Sequence, residues 1–299
     1  MESITISKKK YLELTRLDIP KEVRNTEARM FHYDHRGKHK VFKDYYLSDG
    51  VLFGSKLFTV QALDHYKEYL PESFVIPDSS VTINGKVVGF TVPFVEGIPL
   101  ETILKDTHVS LKEQIYYLKK IGELLEQLKE IREHTPLKDI YINDLQESNF
   151  IINPNNRSIK TIDLDSCKIS TNSPFPSRYM SNKDLLSRNT YEKYTINKTP
   201  AVNEGDYIAN QESDMYCYMI VILNFLMGSN ISRMNEQQFY HYLNYLEGVG
   251  VSKELLNCFE TILRYDPNLN PVHYLDGLNY TQTGRAKEQV YTLHKKRTS

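Results

Sequence analysis

Apolar residues recur at helical spacing in three stretches of the chain. Residues 111–131 carry an apolar residue at every third or fourth position, which predicts a long amphipathic helix. Residues 55–70 show roughly the same period and predict a second helix. Residues 212–228 form the most apolar run of the chain. This run is shorter than a bilayer span of about 20 residues and contains tyrosines, so it predicts a buried helix.

Alternating apolar residues predict strands in the first third of the chain. Residues 40–46 alternate as a strand does. Residues 81–90 alternate around Asn84-Gly85, a dipeptide that strongly predicts a tight hairpin turn. The second strand of this hairpin is expected to continue through residues 91–97.

A further hairpin is predicted beside the most informative polar residues. Apolar residues at 150–152 and 159–162 flank a Pro-Asn-Asn-Arg turn. Folding at this turn would bring Asp163 back beside Asn149, with the carboxylate of Asp144 just upstream. Carboxylate and amide oxygens suit a hard cation such as Mg²⁺, and Asp144 would be free to receive a proton. The alternative is a polar loop before a surface hairpin, where Asp and Asn serve only the turns.

The spacing of these three residues resembles the catalytic core of the protein-kinase-like superfamily. In that family the catalytic loop reads H-R-D-x-x-x-x-N and the metal-binding element reads D-F-G. Here D-L-Q-E-S-N and D-L-D stand in those places, and the pairing with I-D-L-D-S is most similar to bacterial YegI-type serine/threonine protein kinases. The resemblance implies ATP as phosphoryl donor, Asp144 as proton acceptor, and Asn149 and Asp163 as ligands of Mg²⁺.

The resemblance extends upstream and implies a nucleotide-binding lysine. Lys43 stands where the strand lysine of kinases reaches the α- and β-phosphates, with Lys40 and Lys38 as rivals. In the family this lysine pairs with a helix glutamate, but the first turns of the helix predicted here contain none. Asp64 is therefore the candidate partner of Lys43, and Gln61 is the runner-up.

The family also implies a hinge and a phosphate loop. Phe94 and Val95 would lie at the hinge beside the adenine, and they also suit the core at the end of a strand. A glycine-rich phosphate loop is missing, since Gly37 is the only glycine between Val23 and Lys43. The basic segment 29–40 would either cover the phosphates in its place or form a plain solvated hairpin.

Downstream matches are weaker but occur in the same order as in the family. Asp214 would cap the apolar helix and hold the backbone of the catalytic loop. Residues 177–180 would correspond to a peptide-docking turn. Asp266-Pro267 resembles the D-P-x-x-R-P signature of protein kinases, with Asn270 in place of the arginine.

Three departures leave the type of activity open. Gln146 replaces a lysine that steadies the γ-phosphate in many kinases, and Ile142 replaces the loop histidine. Asp165 stands where glycine is usual and would add a metal ligand or cap the next turn. The possibilities are an active serine/threonine protein kinase, a pseudokinase that binds nucleotide or partner proteins without turnover, and a small-molecule kinase of the aminoglycoside or choline type.

Composition adds limits rather than chemistry. The 299 residues include 37 Lys and Arg against 38 Asp and Glu, so we expect no attraction to nucleic acid. Three scattered cysteines suit a reducing cytosol, and no apolar signal core begins the chain, so a cytoplasmic protein without a membrane segment is expected. The expected fold is α+β and protein-kinase-like, with a small β-rich N-lobe at 1–94 and a larger helical C-lobe at 95–299. It would bind ATP, Mg²⁺ and a protein substrate.

Overall fold

The computed structural model describes residues 1–18, 27–170, 172, 211–231, 234–264 and 269–283. The strands are β1 (Glu2–Thr5), β2 (Ala28–His35), β3 (Lys38–Tyr45), β4 (Ser79–Ile83), β5 (Lys86–Pro93), β6 (Ile98–Pro99), β7 (Ile140–Tyr141), β8 (Phe150–Asn153), β9 (Ser158–Thr161) and β10 (Lys168–Ile169). The α-helices are α1 (Lys8–Leu12), α2 (Val51–His65), α3 (Leu100–Lys105), α4 (Leu111–His134), α5 (Gln211–Met227), α6 (Glu236–Gly248) and α7 (Lys253–Arg264). Short 3₁₀ helices cover Lys67–Tyr69, Glu147–Asn149, Leu164–Ser166, Pro271–Gly277 and Tyr280–Gln282.

Five of the described strands form one sheet in the N-terminal part of the chain. Their order is β1-β4-β5-β3-β2, with β1 parallel to β4 and the other neighbours antiparallel. The predicted turn at Asn84-Gly85 is confirmed, because it joins β4 to β5 with positive φ at both residues. The expected strand over residues 91–97 is too long, since β5 ends at Pro93, which has no N–H to donate.

The two faces of β3 meet different surroundings, because side chains alternate along a strand. Phe42 packs into one apolar cluster with residues of the outer strands. Lys43 and Tyr45 lie on the opposite face, where the ring of Tyr45 packs against Phe53 of α2 and Phe90 of β5. Lys43 is therefore directed toward the side of the sheet that α2 covers.

The three predicted helices are present with shifted ends. The amphipathic helix is α4, whose N-cap Ser110 accepts a hydrogen bond from the Glu113 N–H. The helix expected over residues 55–70 is α2, which begins four residues earlier and ends at His65. The most apolar run is α5, and it packs with α4 in the largest hydrophobic cluster.

Hydrogen bonds connect the segment after α2 to the hairpin of β8 and β9. The Val75 N–H donates to the Thr161 carbonyl oxygen at 2.9 Å, and the Thr161 N–H donates to the Ser73 carbonyl oxygen at 2.8 Å. The Lys160 ammonium donates to the Glu72 carbonyl oxygen at 2.7 Å. The hairpin is thereby fixed against the N-terminal part of the chain.

The predicted α+β class is confirmed at the level of a five-stranded N-terminal sheet followed by helices. Within the described ranges, every helix is too short or too polar to cross a lipid bilayer. The predicted docking turn at 177–180 and the Asp266-Pro267 motif lie outside the described residues.

Candidate active site

The backbone of the loop that carries Asp144 is hydrogen-bonded to the side chain of Asp214. The two carboxylate oxygens of Asp214 accept hydrogen bonds from the backbone N–H groups of Ile142, at 2.7 Å, and Asn143, at 2.8 Å. Asn143 has φ of 63°, a left-handed conformation that asparagine tolerates better than most residues, and its side chain donates to the Ser166 carbonyl oxygen at 2.8 Å. The predicted support of the loop by Asp214 is confirmed. Its predicted N-cap position is wrong, because Asp214 lies inside the first turn of α5.

Burial makes Asp214 costly to ionise. It raises the pKa of this carboxyl to about 6, although the two backbone N–H groups and Arg132 oppose the rise. The same two N–H groups would otherwise be buried donors without these acceptors. Burying this carboxylate is unfavourable, but its two hydrogen bonds fix the backbone just before Asp144.

Asp144 accepts hydrogen bonds from two amide side chains later in its loop, those of Gln146 and Asn149. The Asn149 amide nitrogen donates to the Asp144 carbonyl oxygen at 2.8 Å and to its Oδ2 at 3.1 Å. The Gln146 amide nitrogen lies 3.1 Å from each carboxylate oxygen of Asp144. Burial, followed by the charge of Asp163, raises the pKa of Asp144 to about 6, while Asn149, Lys56 and Gln146 oppose the rise. A carboxyl with this pKa can accept a proton near neutral pH.

The predicted hairpin brings Asp163 beside Asn149. Phe150 pairs with Thr161 at the base of β8 and β9, and the Ile162 N–H donates to the Asn149 carbonyl oxygen at 2.9 Å. Asp163 then adopts φ of 64° and begins the tight 3₁₀ turn over Leu164–Ser166. Its side chain remains 21% exposed, so a ligand can reach it.

Lys43 reaches this cluster from the N-terminal sheet. Its ammonium contacts the Oδ1 oxygen of Asp163 and lies 3.0 Å from Oδ1 of Asp165. Burial lowers the pKa of Lys43, but the two carboxylates outweigh it and raise the pKa above its usual value. For Asp163, burial raises the pKa, but Lys43 and Lys56 bring it below its usual value. The cluster thus favours a charged lysine and an ionised Asp163.

The rival lysines on β3 have other surroundings. Lys40 is buried and pairs with Asp78 at 2.8 Å, and Lys38 is exposed. Of the three candidates, Lys43 is the one that contacts Asp163.

The expected pairing of Lys43 with Asp64 is wrong. Asp64 instead contacts the N-terminal amine of Met1, and it lies 3.7 Å from the Lys67 ammonium. A hydrogen bond from the N-terminus lowers the pKa of Asp64 more than its modest burial raises it. Gln61, the runner-up, is exposed. The reason is the rotation of α2, which turns both positions away from the cluster.

The sequence offers no indication of Lys56 or Tyr45 in this cluster, and it leaves the role of Asp165 open. The Lys56 ammonium lies 2.9 Å from Ser166 Oγ, 3.0 Å from Glu27 Oε2 and 3.5 Å from Asp165 Oδ2. The Tyr45 hydroxyl donates to Asp165 Oδ2. The ammonium groups of Lys43 and Lys56 lie 5.6 Å and 5.8 Å from the centroid of the Tyr45 ring. The available signal was the second aspartate of D-L-D, which indicated extra negative charge that needs a cation.

The predicted hinge residues follow β5 directly. The Phe94 N–H donates to the His39 carbonyl oxygen at 3.2 Å, and its ring lies edge-on to the His39 ring with centroids 4.7 Å apart. Val95 comes next and is half-buried. Because Pro93 pairs with Lys40 across the sheet, this segment lies beside β3, the strand that carries Lys43.

The basic segment 29–40 forms the hairpin of β2 and β3. Its cations pair with nearby carboxylates, since Arg29 lies 2.7 Å from Asp44 and Arg36 lies 3.0 Å from Glu2. Together with the pairing of Lys40, these contacts fit an ordinary sheet hairpin better than a cationic cover over phosphates.

Comparisons with known proteins add no family assignment, since neither a scan against protein-family models nor a search of the curated proteins finds a match.

Proposed function

We propose that this chain is a Mg²⁺-dependent phosphotransferase with a two-lobed, protein-kinase-like fold, similar to the bacterial YegI-type enzymes. It uses ATP to phosphorylate serine or threonine residues of a protein substrate. The observation that carries this proposal is the contact between Lys43 of the N-terminal sheet and Asp163, which follows the hairpin of β8 and β9, with Asn149 and Asp144 beside it. A cation, two acidic groups and an amide therefore lie close together, although Lys43 is 120 residues from Asp163 in the sequence.

The residues at this point suit a magnesium ion. Asp163 offers a partly exposed, ionised carboxylate. The amide nitrogen of Asn149 is engaged by Asp144, so its oxygen is the atom of this side chain that can bind a cation. Carboxylate and amide oxygens together with water are the usual ligands of Mg²⁺ in nucleotide sites. When bound, the ion neutralises charge on the β- and γ-phosphates.

The nucleotide would lie between Lys43 and the segment after β5. Lys43 is charged and would contact the α- and β-phosphates in exchange for its contact with Asp163. Phe94 and Val95 directly follow β5, next to β3. The Phe94 carbonyl oxygen, the Val95 backbone and both side chains would contact the adenine, because the Phe94 N–H is bonded to His39. Asp64 has no role in this site, because its contacts are with Met1 and Lys67.

Asp144 would act as the general base. The oxygen of a serine or threonine hydroxyl attacks the γ-phosphorus and transfers its proton to an Asp144 carboxylate oxygen. The bond between the γ-phosphorus and the β–γ bridging oxygen breaks, and ADP leaves with that oxygen. A pKa of about 6 keeps most Asp144 side chains deprotonated at pH 7, yet basic enough to take the proton.

Gln146 favours a second candidate, a pseudokinase that binds nucleotide without turnover. Its neutral amide lies 3.1 Å from both oxygens of Asp144, where many kinases have a lysine. A neutral group stabilises the developing charge of the transferred phosphoryl less than a cation does.

Transfer of radiolabel from [γ-³²P]ATP separates these functions. The acceptors are the chain itself, a generic protein, an aminoglycoside and choline, each with Mg²⁺ and with EDTA. We expect Mg²⁺-dependent label on protein, abolished by Asp144→Asn. The matched control is Asp139→Asn, an exposed aspartate just before β7 that pairs only loosely with Lys168, at 3.8 Å.

The other outcomes each contradict part of the proposal. Label on a small molecule alone would assign a different substrate class. Mg²⁺-dependent ATP binding without any transfer would support the pseudokinase. Transfer by Asp144→Asn at the wild-type rate would remove Asp144 from its role, and absence of ATP binding would refute the nucleotide site.

A further inference from the structure

Two buried lysines converge on a single carboxylate, Asp165. The Lys43 ammonium lies 3.0 Å from Oδ1, and the Lys56 ammonium lies 3.5 Å from Oδ2. The Tyr45 hydroxyl donates to the same Oδ2. The Asp165 side chain is 2% exposed, and both lysine side chains are 5% exposed. Buried charges at such contacts are stable only as a paired group, so removing one member affects the others.

Lys43 has two carboxylate partners, and they differ in accessibility. Asp163 is partly exposed, whereas Asp165 is enclosed between β3, α2 and the 3₁₀ turn. If Asp163 turns to a metal ion, as proposed above, Lys43 loses that partner. Asp165 then remains as the carboxylate that can hold the lysine in place.

Lys56 connects this arrangement to α2. Besides Asp165, its ammonium lies 2.9 Å from Ser166 Oγ in the 3₁₀ turn and 3.0 Å from Glu27 Oε2. Asp165 faces both ammonium groups. Asp163 is the second carboxylate beside Lys43, and Glu27 is the second carboxylate beside Lys56. When Lys43 turns toward phosphate, Lys56 therefore remains beside Asp165 as a cation and keeps its carboxylate in place.

We propose that Asp165 is the residue that positions Lys43 when nucleotide is bound, and that Lys56 of α2 is a positioning residue that acts through Asp165. The inference rests on the proposed function. It assigns to the metal-binding turn the lysine-orienting carboxylate for which no helix residue is available, and it couples the placement of α2 to nucleotide binding.

The test is a double-mutant cycle with Asp165→Asn, Lys56→Met and the two combined. Lys56→Arg keeps the cation, and Lys56→Gln keeps a hydrogen bond to Ser166 without the charge. Lys67→Met is the matched control, because Lys67 is an exposed lysine just after α2 that pairs with Asp64. The readouts are the Kd for Mg²⁺·AMP-PNP by calorimetry, kcat and KM for ATP, and the melting temperature of each variant.

We expect Asp165→Asn to weaken Mg²⁺·AMP-PNP binding and to lower kcat/KM by at least about tenfold, the size of losing one charge-assisted contact. Lys56→Met and Lys56→Gln should act in the same direction, and Lys56→Arg should restore most of the loss. The combined variant should be no worse than Asp165→Asn alone, because Lys56 acts through Asp165. Lys67→Met should match the wild type.

Other results overturn the inference. Losses that multiply in the combined variant would show that Lys56 acts independently, for example by touching phosphate itself. Wild-type binding in Asp165→Asn would remove the positioning role while leaving the proposed function intact. Failure of the wild-type chain to bind Mg²⁺·AMP-PNP would refute both. If Lys56→Met fails to fold, Lys56→Gln and Lys56→Arg still report the effect of the charge.

Discussion

Gly89 of β5 has no room for a side chain beside β3, the strand that carries Lys43. A Cβ added to Gly89 would lie 1.8 Å from the carbonyl oxygen of Lys43 and 2.9 Å from its carbonyl carbon. Real Cβ contacts essentially never fall below 3.0 Å, so alanine at this position requires the two strands to separate by more than an ångström. The atoms in the way belong to backbone in the middle of the sheet, where no side chain can rotate aside.

The expected cost of Gly89→Ala follows from two opposing effects. A forced backbone shift in a packed region costs about 1–3 kcal/mol, and the loss of glycine flexibility in the unfolded chain returns about 0.4–1 kcal/mol. We expect a net loss of about 1–2 kcal/mol in the free energy of unfolding. Because the carbonyl of Lys43 itself must move, kcat/KM for ATP should fall as well.

Urea unfolding of the wild type, Gly89→Ala and Gly54→Ala measures this. Gly54 is the control, since it lies on the exposed side of α2 with no atom within 4 Å of the added Cβ. Alanine there should raise stability by about 0.5–1 kcal/mol, as it does inside helices. A Gly89→Ala variant as stable as the wild type would refute the close approach of the two strands.

Substitutions of Asp214, Lys43 and Asn270 provide three further predictions. The raised pKa of Asp214 means that its favourable contribution is full below a pH of about 4 and is lost as the pH rises through about 6, so the stability of the wild type relative to Asp214→Asn should fall by up to about 3 kcal/mol between pH 4 and pH 7. Parallel pH profiles of unfolding would contradict this. Lys43→Met should lower kcat/KM by about 100-fold, while Lys40→Met, buried on the same strand, should stay near the wild type; equal losses would contradict the assignment. Asn270 caps the 3₁₀ helix Pro271–Gly277 by accepting a hydrogen bond from the Val272 N–H, and its amide nitrogen also donates to the Gly122 carbonyl oxygen and to Glu126. Asn270→Ala should therefore cost about 1 kcal/mol in urea unfolding, and a loss near zero would count against this role.

The local fold of the candidate site could be predicted because its signals are local. The Pro-Asn-Asn-Arg turn between two apolar runs is enough to pair Phe150 with Thr161, and that pairing alone brings Asp163 beside Asn149. Likewise, the alternation of β3 and the turn at Asn84-Gly85 fix two neighbours of the sheet.

The partner of Lys43 could not be predicted because it depends on how α2 is rotated and where the D-L-D turn meets it. Helical periodicity gives the spacing of apolar residues, but α2 has apolar residues on several sides and its outer surface exposes Val51 and Phe58. The sequence of α2 therefore favours its one carboxylate, Asp64, as the partner, whereas the structure buries a lysine, Lys56, against the turn. The strand β1 was missed for a related reason, since its parallel pairing with β4 joins residues far apart in sequence.

Phosphoryl transfer by Asp163→Asn shows whether the Asp163 carboxylate supports Mg²⁺-dependent use of ATP. This variant keeps the size of the side chain but removes the charge that would hold Mg²⁺ in contact with ATP. We expect the wild-type chain to transfer label from [γ-³²P]ATP to protein with Mg²⁺ and not with EDTA. Asp163→Asn should transfer none, while its urea unfolding remains cooperative. Transfer by Asp163→Asn at the wild-type rate, or transfer by the wild type in EDTA, would contradict this expectation.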